Sequence, residues 1–311
     1  MSNIASKIEI FRKESYSQIL FSCCLFLAIV LLPSSNAQIL TPQVNQKVAF
    51  VTGSTSGLGR ELAMRLSDMG MFVIVHGRNR ERGMEVIAEI ESRGNGSGRF
   101  YQADFASIDK IRELGELILT DYNRLDVLIN NAGLGSSPDE RLVSDDGHEL
   151  RFQVNYLSHF LLTDMLKPLL LEASPSRIVN ISSGAQQAID FDDVMLENRF
   201  SGGRAYAQSK LAQILFTVDL AEQLEGTGII VNALHPATYM DTNMVRASGA
   251  TPRATVDEGA DAVMQLVTED IGSGGYFNGK RSSRANRQAY SEEARSRLWQ
   301  LSEVLTGLSP R

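Results

Sequence analysis

Tyr206 and Lys210 stand four residues apart in Ala-Tyr-Ala-Gln-Ser-Lys. On a helix that spacing puts both side chains on one face. An ammonium beside a phenol favours the phenolate, and a phenol of ordinary pKa about 10 needs that help to exchange protons near neutral pH. Upstream, Thr52-Gly-Ser-Thr-Ser-Gly-Leu-Gly59 follows an apolar run and precedes a stretch of helical spacing. A glycine-rich turn between strand and helix gathers backbone amides where a phosphate can sit. A proton-exchanging phenol and a phosphate cradle in one chain point to hydride transfer with a dinucleotide.

Such groups meet only if a scaffold brings them together. Short apolar runs at Lys47–Thr52, Met71–His76, Arg99–Ala103, Asp126–Asn130, Arg177–Ser182, Ile229–Leu234 and Gly275–Asn278 read as strands. Between them, Arg60–Met69, Glu81–Ser92, Ile108–Tyr122, Leu150–Leu171, Tyr206–Leu224 and Asp257–Thr268 carry helical periodicity, with an interruption expected near Pro168. This alternation predicts an α/β fold, a single Rossmann-type doubly wound parallel sheet of about seven strands with helices on both faces. The one clear change of composition, between Ala37 and Lys47, divides the chain into residues 1–37, a linker at 38–46 and a dinucleotide-binding domain at 47–311.

In such a sheet the first helix N-terminus faces the ligand crevice. There Gly53, Thr55, Ser56, Gly57, Leu58 and Gly59 are candidate cofactor contacts. Gly53 permits the tight turn, Gly57 lets backbone approach a pyrophosphate, and Gly59 allows close helix-to-strand packing. The second strand ends in His76-Gly77-Arg78, with no carboxylate to receive a ribose hydroxyl. Arg78 suits a 2′-phosphate, so NADP is the expected cofactor and NAD the alternative. Asp104 is a candidate acceptor for the adenine amino group, with a helix N-cap as its competing role.

Taken in order, Thr52-Gly-x-x-x-Gly-x-Gly59, Asn130-Asn-Ala-Gly133, Ser183 and Tyr206-x-x-x-Lys210 resemble the short-chain dehydrogenase/reductase family over roughly residues 45 to 280. Phe152–Thr163 and Ala205–Ala212 are similar to its retinol-dehydrogenase-like branch. The resemblance implies a catalytic tetrad of Asn155, Ser183, Tyr206 and Lys210. Tyr206 would exchange the substrate proton, Lys210 would favour its ionised form and contact the nicotinamide ribose, and Ser183 would hydrogen-bond the substrate oxygen. Asn155 would bend its helix and hold a water, while Asn131, Ala132 and Gly133 would border the cofactor. Strand alternation allows only one of Ser182 and Ser183 to face the substrate, and the resemblance favours the second. Two departures stand out: 22 residues separate Ser183 from Tyr206, implying an extra substrate-framing loop at Gly184–Ala205, and His235-Pro236-Ala237 replaces a customary Pro-Gly. Pro236, Thr238 and Thr242 remain candidates to reach the cofactor, and Met240, Met244 and Val245 suit either a lid or the core.

A net charge of −7 argues against a broad nucleic-acid surface, although Lys280, Arg281, Arg284 and Arg287 cluster locally. The four histidines lack metal-ligand spacing, and no metal is expected. Both cysteines, Cys23 and Cys24, lie in the apolar run Ile19–Leu32, which follows Lys7, Arg12 and Lys13 and precedes Pro33-Ser-Ser-Asn-Ala37. This pattern reads as a secretory signal or, if retained, a short membrane anchor through residues 19–32. Because a secreted enzyme would lack NADPH, a secretory-pathway or endomembrane location is expected. The partners expected are a small apolar or lipid-like carbonyl or alcohol, with homo-oligomerisation compatible with the sequence. A non-enzymatic dinucleotide sensor or scaffold is the competing class.

Overall fold

A computed structural model describes residues 41–310. The expected signal or anchor at 1–37, with Cys23 and Cys24, lies outside the described residues. Among the described residues no helix is long and apolar enough to cross a membrane.

Eight strands form one sheet in the order β3-β2-β1-β4-β5-β6-β7-β8. They are β1 (Val48–Val51), β2 (Phe72–Gly77), β3 (Ser97–Gln102), β4 (Val127–Asn130), β5 (Ser176–Ile181), β6 (Ile229–His235), β7 (Tyr276–Asn278) and β8 (Arg281–Ser283). The first seven run parallel. β1, β2 and β4 are buried at every position, as continuous apolar runs covered on both faces must be. Alternation divides their side chains between two cores. Val48, Phe50, Phe72 and Ile74 join one cluster, while Ala49, Val51, Val73 and Val75 join the other.

The eighth strand corrects the expected seven. β8 pairs antiparallel with β7 across Gly279-Lys280, where Gly279 is left-handed at φ +58. Arg281-Ser-Ser283 is exposed and has no apolar alternation, so it gives no strand signal; the hairpin turn creates it. Two of the four basic residues there are engaged: Lys280 Nζ lies 3.5 Å from Asp261, and the Arg284 guanidinium sits 5.1 Å from the Tyr290 ring centre.

The helices are α1 (Gly57–Asp68), α2 (Arg80–Arg93), α3 (Ile108–Asp121), a three-part α4, α5 (Gly202–Gln223), α6 (Asn243–Ala247), α7 (Val256–Thr268) and α8 (Glu292–Thr306). α4 comprises Leu150–Phe152, a π-helical turn at Gln153–Leu157 and Ser158–Glu172. The expected interruption near Pro168 is therefore corrected: the helix runs through Pro168 to Glu172, and the break in α-helical geometry falls around Asn155. α5 starts before Tyr206 because the Ser201 side chain caps it by accepting from Arg204 N–H.

The chain turns back between β1 and β4, which are neighbours although β2 and β3 intervene in sequence. This topological switch opens a crevice beyond the carboxyl ends of both strands. The glycine turn leaves β1 there, and Asn131-Ala-Gly133 leaves β4 beside it.

Candidate active site

The turn after β1 needs its glycines. Gly53 and Gly57 are left-handed at φ +65 and +52, a region disfavoured for residues with a Cβ. A Cβ at Gly53 would lie 2.8 Å from Ala132 Cα; one at Gly59 would lie 2.4 Å from the Gly53 carbonyl and 2.5 Å from Asn131 Nδ2. The clearance at Gly59 therefore serves the turn itself. Asn131 Nδ2 donates to the Thr52 and Gly53 carbonyls at 2.8 and 3.2 Å, and the Asn131 and Ala132 N–H groups both donate to Thr52 Oγ1 at 2.9 Å. Ser56 at the N-cap of α1 makes no side-chain cap, and the first turn holds no acidic residue. The leading amides of α1 and its dipole thus remain available to an anion.

His76, counted among scattered histidines by sequence reading, braces this turn from β2. Its Nδ1 accepts from Gly53 N–H at 3.1 Å, Nε2 donates to the Ala103 carbonyl at 3.2 Å, and the ring stacks 4.4 Å from Phe105. Burial holds its pKa down at about 4. Its place at a strand tip beside the turn was the available signal. At the same tip, a Cβ on Gly77 would meet Thr55 Cγ2 at 2.6 Å, so Thr55 packs where a carboxylate-bearing side chain would need to grow. Arg78 is 67% exposed and lies 3.6 Å from Asp104. Asp104 Oδ1 accepts from Ala106 N–H at 3.0 Å, whereas Ser107 caps α3. The N-cap alternative for Asp104 is thereby replaced.

The second half of the site hangs on β5, α4 and α5. Ser182 turns away, its Oγ donating to the Lys210 carbonyl at 2.7 Å. Ser183 lies beside the Tyr206 phenol, and its Oγ accepts from Ala185 N–H at 3.1 Å. Two donors, Tyr276 Oη and Gln186 Nε2, fix the Ser183 carbonyl at 3.0 Å each. Lys210 Nζ lies 5.9 Å from the Tyr206 ring centre and donates to the Ile181 carbonyl at 2.8 Å and Gln213 Oε1 at 2.9 Å. Burial raises the Tyr206 pKa, against which the Ser183 side chain acts. Burial also lowers Lys210 to about 7.

Asn155 sits in the π-helical turn with its amide engaged by protein. Oδ1 accepts from Leu134 N–H at 2.7 Å, and Nδ2 donates to the Leu134 carbonyl at 3.1 Å and Ser209 Oγ at 2.9 Å. A Cβ on Gly133 would come within 3.2 Å of Asn155 Oδ1 and 3.5 Å of Lys210 Nζ. Asn155, Ser183, Tyr206, Lys210 and Gly133 therefore occupy one neighbourhood.

Beyond β6, the left-handed residue is Tyr239 at φ 50, not Ala237. The substitution in His235-Pro236-Ala237 leaves no positive φ at those positions, and Thr238 Oγ1 lies 3.0 Å from His235 Nε2. Met240 packs against Gly259 and the core. α6 instead has no buried residue, yet Thr242 lies against Gly57 and Met244 against Gly135. It thus sits against the glycine turn and the segment after β4. The Gly184–Ala205 loop docks on the segment after β8: Gln186 Oε1 accepts from Asn286 N–H at 2.8 Å, and Gln288 exchanges two hydrogen bonds with Ile189. Sequence reading also passed over Arg151, whose buried guanidinium holds the carbonyls of Gly135, Ser136 and Pro138.

The sequence profile described as short chain dehydrogenase matches residues 47–253. Retinol dehydrogenase 13 of Mus musculus is 35% identical, covering 85% of this chain and 84% of that protein. Retinol dehydrogenase 11 of Homo sapiens is 36% identical over 88% of this chain and 90% of its own length. Among solved structures, a short chain dehydrogenase from Escherichia coli CFT073 complexed with NADPH is similar at TM-score 0.63 and 27% identity, covering 76% of this chain and 98% of that one. A metagenomic short-chain oxidoreductase in complex with NADP gives TM-score 0.58 and 26% identity, covering 72% and 91%.

Proposed function

The chain belongs to the short-chain dehydrogenase/reductase family as an NAD(P)-dependent oxidoreductase acting on CH–OH groups, and from that premise we propose that it uses NADP and the Asn155, Ser183, Tyr206, Lys210 tetrad. The observation that carries the reading is the convergence of Tyr206, Ser183 and Lys210 beside a glycine turn with free helix amides. The residues present fit a dinucleotide: a Cβ would fill the cradle at Gly53 and Gly59, and the first turn of α1 offers amides without competing carboxylates. Gly53, Thr55, Ser56, Gly57, Leu58 and Gly59 would hold its phosphates, with Asn131, Ala132, Gly133, Pro236 and Thr238 along its path.

When bound, the nicotinamide supplies or accepts the hydride. Tyr206 gives a proton to a carbonyl oxygen in reduction and takes one from a hydroxyl in oxidation. Ser183 donates where negative charge develops on that oxygen. Lys210 lowers the cost of the phenolate, while Asn155 fixes the Leu134 backbone that walls the site. We expect wild type to consume NADPH with at least one member of a panel of aldehydes and ketones. Tyr206→Phe is expected to lose about 10²- to 10⁴-fold in turnover, as removal of a general acid does; undiminished turnover refutes the assignment.

NADP preference rests on Arg78, exposed at the strand tip, and on Thr55 filling the space beside Gly77. Loss of a charge-assisted contact to phosphate costs on the order of 2 kcal/mol, about 30-fold in affinity. Arg78→Ala is therefore expected to weaken NADPH binding by that factor and leave NADH binding nearly unchanged. Equal losses for both cofactors favour the NAD alternative. The names of the relatives and the exposed Met244 beside Gly135 support a small apolar or lipid-like alcohol as substrate. An endomembrane location is part of the same reading, tested by sequencing the N-terminus of the mature protein.

A further inference from the structure

Behind the tetrad lies a buried polar chain that the reaction as described does not use. Lys210 Nζ donates to Gln213 Oε1, Gln213 Nε2 lies 3.3 Å from His159 Nδ1, and His159 Nε2 lies 3.1 Å from Thr52 Oγ1. Gln213, His159 and Thr52 are each at most 1% exposed. Gln213 is flanked on α5 by the buried apolar Leu211, Ala212, Ile214, Leu215 and Phe216. An apolar side chain would fill that position without the desolvation cost that a buried amide carries. We propose that Gln213 is a positioning residue that holds Lys210 in its charged form beside Tyr206.

Donor and acceptor chemistry places the protons. An ammonium has donors only, so Gln213 presents Oε1 to it and turns its NH₂ toward His159. Thr52 Oγ1 has two lone pairs, and the Asn131 and Ala132 N–H groups fill them, so its own proton goes to His159 Nε2. The His159 proton then sits on Nδ1 and is donated to the Asn155 carbonyl at 3.0 Å. Burial and the Lys210 charge keep His159 neutral, its pKa lowered to about 3. Tyr206 from α5 and His159 from α4 are the titratable groups facing Lys210; His76 lies beyond His159 across Phe105. β5 presents only the Ile181 carbonyl to Nζ.

This role rests on the catalytic reading above, and its test has a readout that needs no turnover. NMR titration of the cofactor-free protein with labelled lysine, minus the same titration of Lys210→Met, isolates the Lys210 ammonium, which at about 7 loses its proton before the phenol does. Loss of the acceptor at Nζ favours the neutral amine, so Gln213→Leu is expected to move that midpoint down by about one unit. The acid limb of kcat for alcohol oxidation should move up, with KM for NADP within about twofold because a remote polar contact shifts the proton equilibrium and not the phosphate cradle. Active wild type with an unmoved Lys210 midpoint in Gln213→Leu overturns the positioning role. A wild type with no turnover overturns the catalytic reading and this role with it.

Discussion

At the scale of single residues, neighbouring serines divide two kinds of work. Ser183 faces the phenol and Ser182 ties β5 to the back of α5. Ser183→Ala is expected to cut turnover by about 10²- to 10³-fold, in line with loss of a donor to a developing oxyanion. Ser182→Ala should instead cost about 1 kcal/mol of stability through its lost hydrogen bond and spare most of the turnover. Steady-state kinetics beside thermal melts separates these outcomes, and interchange of the two effects refutes the assignment. The proposed tetrad comes from residue types at family spacing, and strand alternation required one serine to face away. The supports of Ser183 were not legible. Tyr276 and Gln186 come from distant stretches, and only the folded sheet brings their donors to one carbonyl.

At the scale of elements, the glycine turn and the π-helical turn each trade regularity for placement. Gly53→Ala demands a left-handed residue with a Cβ 2.8 Å from Ala132 Cα. It is expected to lose at least about 1 kcal/mol of stability, the usual cost of a residue forced into that backbone region. NADPH affinity, read by fluorescence titration, should fall with it; unchanged affinity and melting would show that the turn tolerates a side chain. Seven strands and their order along the chain were readable because buried parallel strands are short apolar runs. β8 and α6 were not: one is a polar hairpin arm, and the other is short and fully surface-lying. Proline, the familiar local signal, suggested an interruption near Pro168 that does not occur. The irregular turn falls instead at Asn155, where the family resemblance implied a bend and where the Asn155 amide secures the loop after β4.

At the scale of the whole molecule, buried titratable groups set how the fold answers pH. His76 and His159 stay neutral in the fold down to about 4 and about 3 respectively, from ordinary values of 6.5. In the unfolded chain they take protons below about 6.5, so the unfolded state binds more protons and stability falls as pH drops. By pH 4 the loss is on the order of 3 kcal/mol per ring. Lys210, lowered from 10.5 to about 7, acts in the same sense at higher pH: its penalty is full below 7 and shrinks as pH rises toward 10.5. Urea unfolding between pH 4 and 7 should show this slope, and removal of His159 should flatten it; a pH-independent midpoint refutes the account. α8 bears on the same core from outside the cofactor crevice. Its Trp299 meets Phe160 of α4 at 4.9 Å and Phe216 of α5 at 5.9 Å between ring centres. As the chain has one tryptophan, its emission is a built-in optical gauge. Detachment of the tail helix from the scaffold under Tyr206 and Lys210 would redden that signal without any dye or label.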